Sequence, residues 1–349
     1  FPLFNKSTNS LISVVFTSGS TGTPKGIVTT HQNFASAAVH QAEILRIQPG
    51  TRVFDFVSYS FDVSWSNTLQ TLICGGCLCI PDELERRNDI AGAFNRMNCN
   101  YSYFTPSVVR SLNPCSMPAL KILAMGGEPI PIAEVARWEQ AEAIIGIYGP
   151  AECAQALTFT LLRPNGRNNH VGHSYGARTW LVQPDHPDRL AAIGAVGELL
   201  IEGPTVSRGY FDESDKTAAA YIKNPSWLLE GTPSIPGRQA TLYKTGDLLR
   251  YNSDGSLDFL GRKDGMVKLR GQRIELAEVE FHIRANLHHP DLCDGLAAEI
   301  ITPNNSSPIL AVFFALSSSE EARSEEDTLS KLTCLIDGLE DRLSNCVPQ

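Results

Sequence analysis

No apolar run in this chain approaches the roughly 18 residues a membrane-spanning helix needs. Basic clusters are missing too. The formal net charge of −9 is spread over mixed-sign stretches, so neither nucleic acid nor an anionic membrane surface is expected as a partner. The chain opens on Phe-Pro-Leu-Phe-Asn, with no initiator Met, no basic n-region and no cleavage-site pattern, and so reads as a piece without a secretory leader. Its nine cysteines, an odd number, are scattered, and no second Cys or His pair stands at zinc spacing around Cys74, Cys77 and Cys79. Structural thiols in a reducing cytoplasm are the expectation.

What is present is enough apolar material for a sizeable core: 42% hydrophobic residues in 349, a length that suggests about two domains. Helix-like blocks near 31–45, 65–73, 90–97 and 132–139 alternate with strand-like blocks at 53–57, 78–80, 101–104, 120–125 and 143–147. That alternation predicts an α/β fold, with a parallel or mixed sheet covered by helices. After about residue 158 the strands shorten and glycine turns multiply, including the Asp254-Gly255 hairpin signal, which predicts an appended β-rich subdomain to about residue 263. Residues 264–349 read as a small α+β unit, with a helix at 276–287, strands at 297–301 and 309–316, and a helix at 329–343. The acidic stretch 317–327 reads as a loop.

Three segments carry the chemistry. Leu11 to Phe16 reads as a buried strand emptying into Thr17-Ser18-Gly19-Ser20-Thr21-Gly22-Thr23-Pro24-Lys25-Gly26. Such a loop leaves backbone N–H groups free for an anion, and Lys25 adds charge. It is not a Walker loop, which needs Gly-Lys followed by Ser or Thr. Ile147-Tyr148-Gly149-Pro150-Ala151-Glu152 follows a strand and supplies an aromatic platform, a turn and a hard oxygen ligand suited to Mg²⁺. Tyr243-Lys244-Thr245-Gly246-Asp247 and Gly261-Arg262-Lys263-Asp264 add a carboxylate for a ribose diol and a guanidinium fork. Open α/β sheets bind ligands beyond the carboxyl ends of their strands, and the segments after Phe16, Ser60, Met125 and Ile147 are expected to share one such rim.

These segments, in this order, resemble the motifs of the adenylate-forming superfamily: acyl-CoA synthetases, luciferases and the adenylation domains of nonribosomal peptide synthetases. Gly126-Gly127-Glu128 and the stretch from Val196-Gly197-Glu198 to Arg208-Gly209-Tyr210 match further family signatures, the latter read as structural. The resemblance implies that Thr17, Ser18, Gly19, Ser20, Thr21, Gly22 and Lys25 hold the triphosphate of ATP and that Gly126 and Gly127 run along the adenine. It further assigns Tyr148 to the base, Glu152 to Mg²⁺, Asp247 and Arg262 to the ribose, and catalytic roles to Lys25, Glu152 and Arg262. Asp264 takes the family's hinge position. Gly146 and Ala151 depart from the family's Asn and Thr. His31, His170 and His173 are read as non-catalytic, because a carboxylate nucleophile needs no general base.

Phe61-Asp62 separates family members. In peptide synthetases an Asp here meets the substrate's α-ammonium, whereas acyl-CoA synthetases generally lack it. A substrate without the amine would strand a buried carboxylate, a penalty of about 3 to 5 kcal/mol. A helix N-cap is the competing role for Asp62. Offsets counted within the motifs place Val63, Ser66, Tyr103, Leu123, Met125, Ile147, Gln155 and Ala156 around the side-chain pocket. None is charged, which predicts a neutral, small to medium amino acid, proline-like or aliphatic ahead of aromatic.

The expected function is therefore amino-acid activation: ATP and an amino acid give aminoacyl-AMP and pyrophosphate, and the acyl group then passes to phosphopantetheine on a downstream peptidyl carrier domain, with a condensation domain as neighbour. The segment Gly176 to Val182 resembles fungal synthetases. An acyl-CoA or aryl-CoA ligase on the same scaffold and a silent nucleotide-binding module are the alternatives. The chain stops at Cys346-Val347-Pro348-Gln349, short of the family's Pro-x-x-x-Asn-Gly-Lys motif, and lacks the family's early N-terminal segment. It is thus expected to be an internal fragment.

Overall fold

The computed structural model describes residues 7–18, 24–154, 156–263, 266–269, 272–301, 303, 308–316 and 325–343. It divides into two compact units, one made of 1–16 with 26–264 and the other of 17–25 with 265–349. The sequence reading placed residues 17–25 in the large unit; the structure groups them with the small one.

In the large unit, the helix His31–Leu45 starts where Thr30 and Asn33 cap each other reciprocally, Asn33 N–H to Thr30 Oγ1 at 3.2 Å and Thr30 N–H to Asn33 Oδ1 at 2.9 Å. It ends at Arg46 in the left-handed conformation. The expected α/β alternation is present. Five parallel strands lie side by side in the order Cys77–Cys79, Arg52–Phe54, Tyr101–Phe104, Ile122–Gly126, Ala143–Tyr148. From Thr158–Leu161 onward the pairing turns antiparallel and runs on through the β-rich part, giving a 13-stranded sheet. The Asp254-Gly255 hairpin joins Thr241–Tyr251 to Leu257–Arg262 with Gly255 at φ 80°, a conformation glycine adopts without strain.

The parallel region is covered on both faces. Phe54, Phe104, Leu123, Met125 and Ile144 point to one side and pack with Phe94 and Trp138. Val53, Tyr101, Tyr103, Ala124 and Ile145 point to the other, toward Leu45, Ala156 and Phe159. Strand period 2 fixes this partition, and parallel register carries it from strand to strand.

Two expectations need correction. The strand Leu11–Thr17 does not belong to the parallel sheet. It pairs with Lys25–Thr30 in a two-stranded sheet of its own, and with one neighbour it leaves Phe16 61% and Leu11 50% exposed. An apolar run reports what could be buried, not how many strands flank it. The closing helix of the small unit is also broken, into Glu325–Ile336 and Leu339–Leu343, by Gly338 at φ 61°. Glu325 to Asp327, assigned to the acidic loop, belong to the helix Glu325–Ile336.

The small unit otherwise holds the strands Met266–Leu269 and Gln272–Glu275, the helix Leu276–Ala285 and the hairpin Cys293–Ile301 with Ile309–Leu316. Its core gathers Val279, Ile283 and Ala298. Among the described residues, no helix is long and apolar enough to cross a membrane.

Candidate functional site

Asp247 is a focus of the large unit. Strand register sets it directly opposite Arg262, whose Nη1 reaches Oδ1 at 2.5 Å, while the Tyr148 hydroxyl donates to Oδ2. The Asp247 N–H is held in turn by Thr245 Oγ1 at 3.0 Å, and Thr245 itself donates to the Leu199 carbonyl. Burial, then the Asp247 charge, pushes the Tyr148 phenol well above its ordinary range, so it stays protonated and donating. A carboxylate has about four lone-pair positions, so Asp247 can keep both partners and still accept from a diol. Tyr148, Asp247 and Arg262, expected at the nucleotide, are thus brought together.

Glu152 sits in the short 3₁₀ turn Ala151–Cys153 that follows the strand Ala143–Tyr148 and is fully buried. Its Oε1 accepts from the Tyr210 hydroxyl at 3.0 Å, and its backbone carbonyl accepts from Ser207 N–H at 2.8 Å. The Val206-Ser207-Arg208-Gly209 stretch therefore braces this turn, and Asn33 grips its start through the Pro204 and Val206 carbonyls. No group of three or more metal-ligating side chains occurs among the described residues. A single carboxylate completed by phosphate oxygens and water is what Mg²⁺ commonly accepts, so Glu152 fits that ion and no protein-only cage does. Gly126 leaves no room for a side chain: a Cβ there would lie 2.4 Å from the Ile147 carbonyl oxygen and 2.6 Å from the Tyr103 hydroxyl. Gly127 follows at φ 82°.

A cavity of about 410 Å³, counting its open mouth, lies between the helices and the sheet face that carries Tyr101 and Tyr103. Val63, Ser66, Tyr103, Ile147 and Ala156, five of the residues assigned to the substrate pocket, line it. Asp62 stands at the N-terminus of the helix Val63–Ile73, half-buried, and accepts from Val63 N–H at 3.0 Å. Burial, then the Asp62 charge, raises the Tyr103 phenol above its ordinary range. Asp62 thus plays the cap role, next to the cavity-lining Val63 but not itself among the lining residues.

Sequence comparison adds to this geometry. Residues 4–211 match the family model described as AMP-binding enzyme. The chain belongs to the AMP-binding enzyme family. It is similar to the nonribosomal peptide synthetase ungA of Aspergillus violaceofuscus, 45% identical over 349 residues, a match covering 96% of this chain and 4% of that protein. Peramine synthetase A of Epichloe festucae is 50% identical over 275 residues, covering 78% of this chain and 10% of that protein. The chain spans a small part of both. Among solved structures it resembles the Vibrio cholerae adenylation domain AlmE in complex with glycyl-adenosine-5'-phosphate, with a TM-score of 0.75 at 22% identity, covering 96% of this chain and 62% of that one. At that identity the likeness is one of fold.

Within this AMP-binding enzyme two residues expected at the pocket are elsewhere. Leu123 and Met125 lie on the opposite face of their strand, in the Trp138 cluster. Motif offsets count residues but carry no pleat phase, and a shift of one moves a side chain through the sheet. Ala124 is the residue on the cavity side. Gln155, Asp264 and Gly19 to Gly22 lie outside the described residues; Thr17, Ser18 and Lys25 are half-buried. The reading missed Gln41, Leu45 and Ile47, and also Asn67 and Gln70. The last two were findable, because positions 63, 66, 67 and 70 repeat at helical spacing.

Proposed function

We propose that the chain is an amino-acid adenylation domain of a nonribosomal peptide synthetase. The substrate carboxylate attacks the α-phosphorus of ATP, the bond to the bridging oxygen breaks, and pyrophosphate leaves with that electron pair. The single observation that carries this reading is the half-buried carboxylate of Asp62 at the head of the helix whose Val63 and Ser66 line the cavity. It suits an α-ammonium group, which aryl and fatty acids lack. Tyr148, Asp247 and Arg262 hold the nucleoside, Asp247 accepting from the ribose diol; Glu152 takes Mg²⁺. Lys25 with Thr17 and Ser18 keeps its assignment to the phosphates from the motif alone.

The aminoacyl group then passes to the phosphopantetheine thiol of a downstream carrier domain, with a condensation domain as neighbour. Asp264 serves as the hinge for that second step. The names of the relatives support this assembly. A cytoplasmic setting agrees with eight cysteines that are all free among the described residues.

Substrate-dependent pyrophosphate exchange, run on the full-length polypeptide with amino acids against aryl and fatty acids, tests the proposal. Exchange with one or a few amino acids is expected. Exchange with an aryl or fatty acid alone would assign a CoA ligase, and ATP binding without any exchange a silent module.

A further inference from the structure

We propose that Asp55 is a positioning residue for amino-acid binding: its buried carboxylate holds the chain on both sides of Asp62 and so fixes the group that meets the substrate's α-ammonium. The inference rests on reading the chain as an amino-acid adenylation domain.

Asp55 directly follows the strand Arg52–Phe54, and its N–H extends the parallel ladder by donating to the Cys79 carbonyl at 2.9 Å. Its backbone is thereby part of the sheet. Its side chain is only 3% exposed and reaches two places further along the chain. Oδ2 accepts from the Tyr59 hydroxyl at 3.1 Å, and the carboxylate has a hydrogen-bonding interaction with the Asn67 side chain, whose buried Nδ2 and Asp55 Oδ1 have no other hydrogen-bond partner. Tyr59 precedes Asp62 by three residues and Asn67 follows it by five, on the helix Val63–Ile73. One point in the sheet thus brackets the residue that caps this helix.

Local contacts shape this loop without attaching it. The Phe61 N–H donates to the Ser58 carbonyl at 3.0 Å and Ser64 Oγ to the Phe61 carbonyl at 2.7 Å, both within the segment itself. Tyr59 is 64% exposed, so burial of its ring contributes little, and the hydroxyl bond to Asp55 ties it to the sheet. The carboxylate is held there at a cost. Burial raises its pKa above the ordinary range, against the pull of Tyr59, Asn67 and the Arg86 charge. A buried charge is a poor device for stability alone, since a well-packed apolar group commonly does as well. What it adds is direction: the two oxygens pair only if Tyr59 and Asn67 sit at fixed places, and Asp62 lies between them. Recognition of an ammonium group depends on that placement, because an error of about 1 Å can cost about 100-fold.

The test is pyrophosphate exchange on the full-length polypeptide across the proteinogenic amino acids, followed by titration of the best of them. Asp55→Ala should raise the KM for that amino acid by about tenfold or more and leave the ATP KM within about twofold of wild type. Asp55→Asn, which keeps an acceptor for the Tyr59 hydroxyl, should show a smaller rise and guards against an alanine variant that fails to fold. In an Asp62→Asn background, Asp55→Ala should raise the amino-acid KM by no more than about twofold, because its effect runs through a charge already removed. An unchanged amino-acid KM, equal rises for amino acid and ATP, or an effect fully additive with Asp62→Asn assigns Asp55 to the fold alone and overturns the proposal. A wild-type polypeptide that exchanges with none of the amino acids would instead remove the functional reading, and Asp55's role with it.

Discussion

The Tyr148 hydroxyl donates to Oδ2 of Asp247, 99 residues further along the chain, while Arg262 holds the other oxygen. A strand end from the parallel half of the sheet and a strand pair from the antiparallel half thus meet at one carboxylate. Burial, then the Asp247 charge, holds the phenol well above its ordinary range, so it stays protonated and donating.

Asp247→Asn should therefore raise the ATP KM in pyrophosphate exchange by about 10- to 100-fold, the loss of charge-assisted hydrogen bonds worth about 1.5 to 3 kcal/mol. Tyr148→Phe keeps the ring and removes one donor, and should cost no more than about tenfold. Equal ATP KM values for the wild type and both variants would remove Asp247 from the nucleotide site.

Asp62→Asn separates its two roles. Asparagine caps a helix about as well as aspartate, so the melting temperature should hold. Losing the charge opposite an α-ammonium should lower kcat/KM for the amino acid by about 100-fold or more, with ATP binding measured calorimetrically unchanged. An unaltered amino-acid KM would leave Asp62 as a cap and nothing else.

Much of the fold was readable where local signals agree. Thr30 and Asn33 announce the first helix, and Tyr101 to Phe104 read as a strand because their neighbours are turn formers. The Tyr148, Asp247 and Arg262 cluster was reachable through motif order, since each motif holds one partner. The cavity was less so. Gln41 and Leu45 reach it from the first helix and Phe159 from the strand Thr158–Leu161, a meeting that no local pattern encodes. Leu123 and Met125 failed differently: the alternation that puts them with Trp138 is visible in the strand, but its phase is set by Tyr101 and Tyr103 on the neighbouring strand. Phe16 shows the same limit, for hydrophobicity alone does not reveal how many strands flank it.

Glu202 gives the β-rich part an acid-sensitive brace. Burial acts to raise its carboxyl pKa, but Arg238, in a two-pronged contact at 2.8 and 2.7 Å, and Trp180 Nε1 at 2.9 Å overcome it and leave the value below the ordinary range. A carboxyl held lower in the folded state stabilises above the unfolded value of about 4.3, and that contribution is lost as pH falls through the folded one. Arg238→Ala should cost about 2 to 3 kcal/mol at pH 7, less than a fully buried pair because Arg238 is partly exposed, and the gap to wild type should shrink below pH 4. Thermal melts across pH 3 to 7 would show it; a gap independent of pH would mean that lost packing on Trp180 is the whole effect.

Gly146 and Ala151, the two departures from the family motif, differ in reversibility. A Cβ on Gly146 would lie 2.9 Å from Thr160 Cγ2 and 3.2 Å from Leu162 Cδ1, so neighbouring side chains occupy the space an asparagine would need. Gly146→Asn should destabilise by about 1 to 3 kcal/mol, and Leu162→Ala in the same chain should return part of the loss. Ala151 is only partly buried, packed at the margin of the cluster containing Tyr210. If threonine there reaches a phosphate oxygen, one hydrogen bond of about 0.5 to 1.5 kcal/mol is regained, and Ala151→Thr should raise the exchange rate up to about tenfold at an unchanged melting temperature. A gain from Gly146→Asn in both stability and exchange, with none from Ala151→Thr, would reverse this assignment.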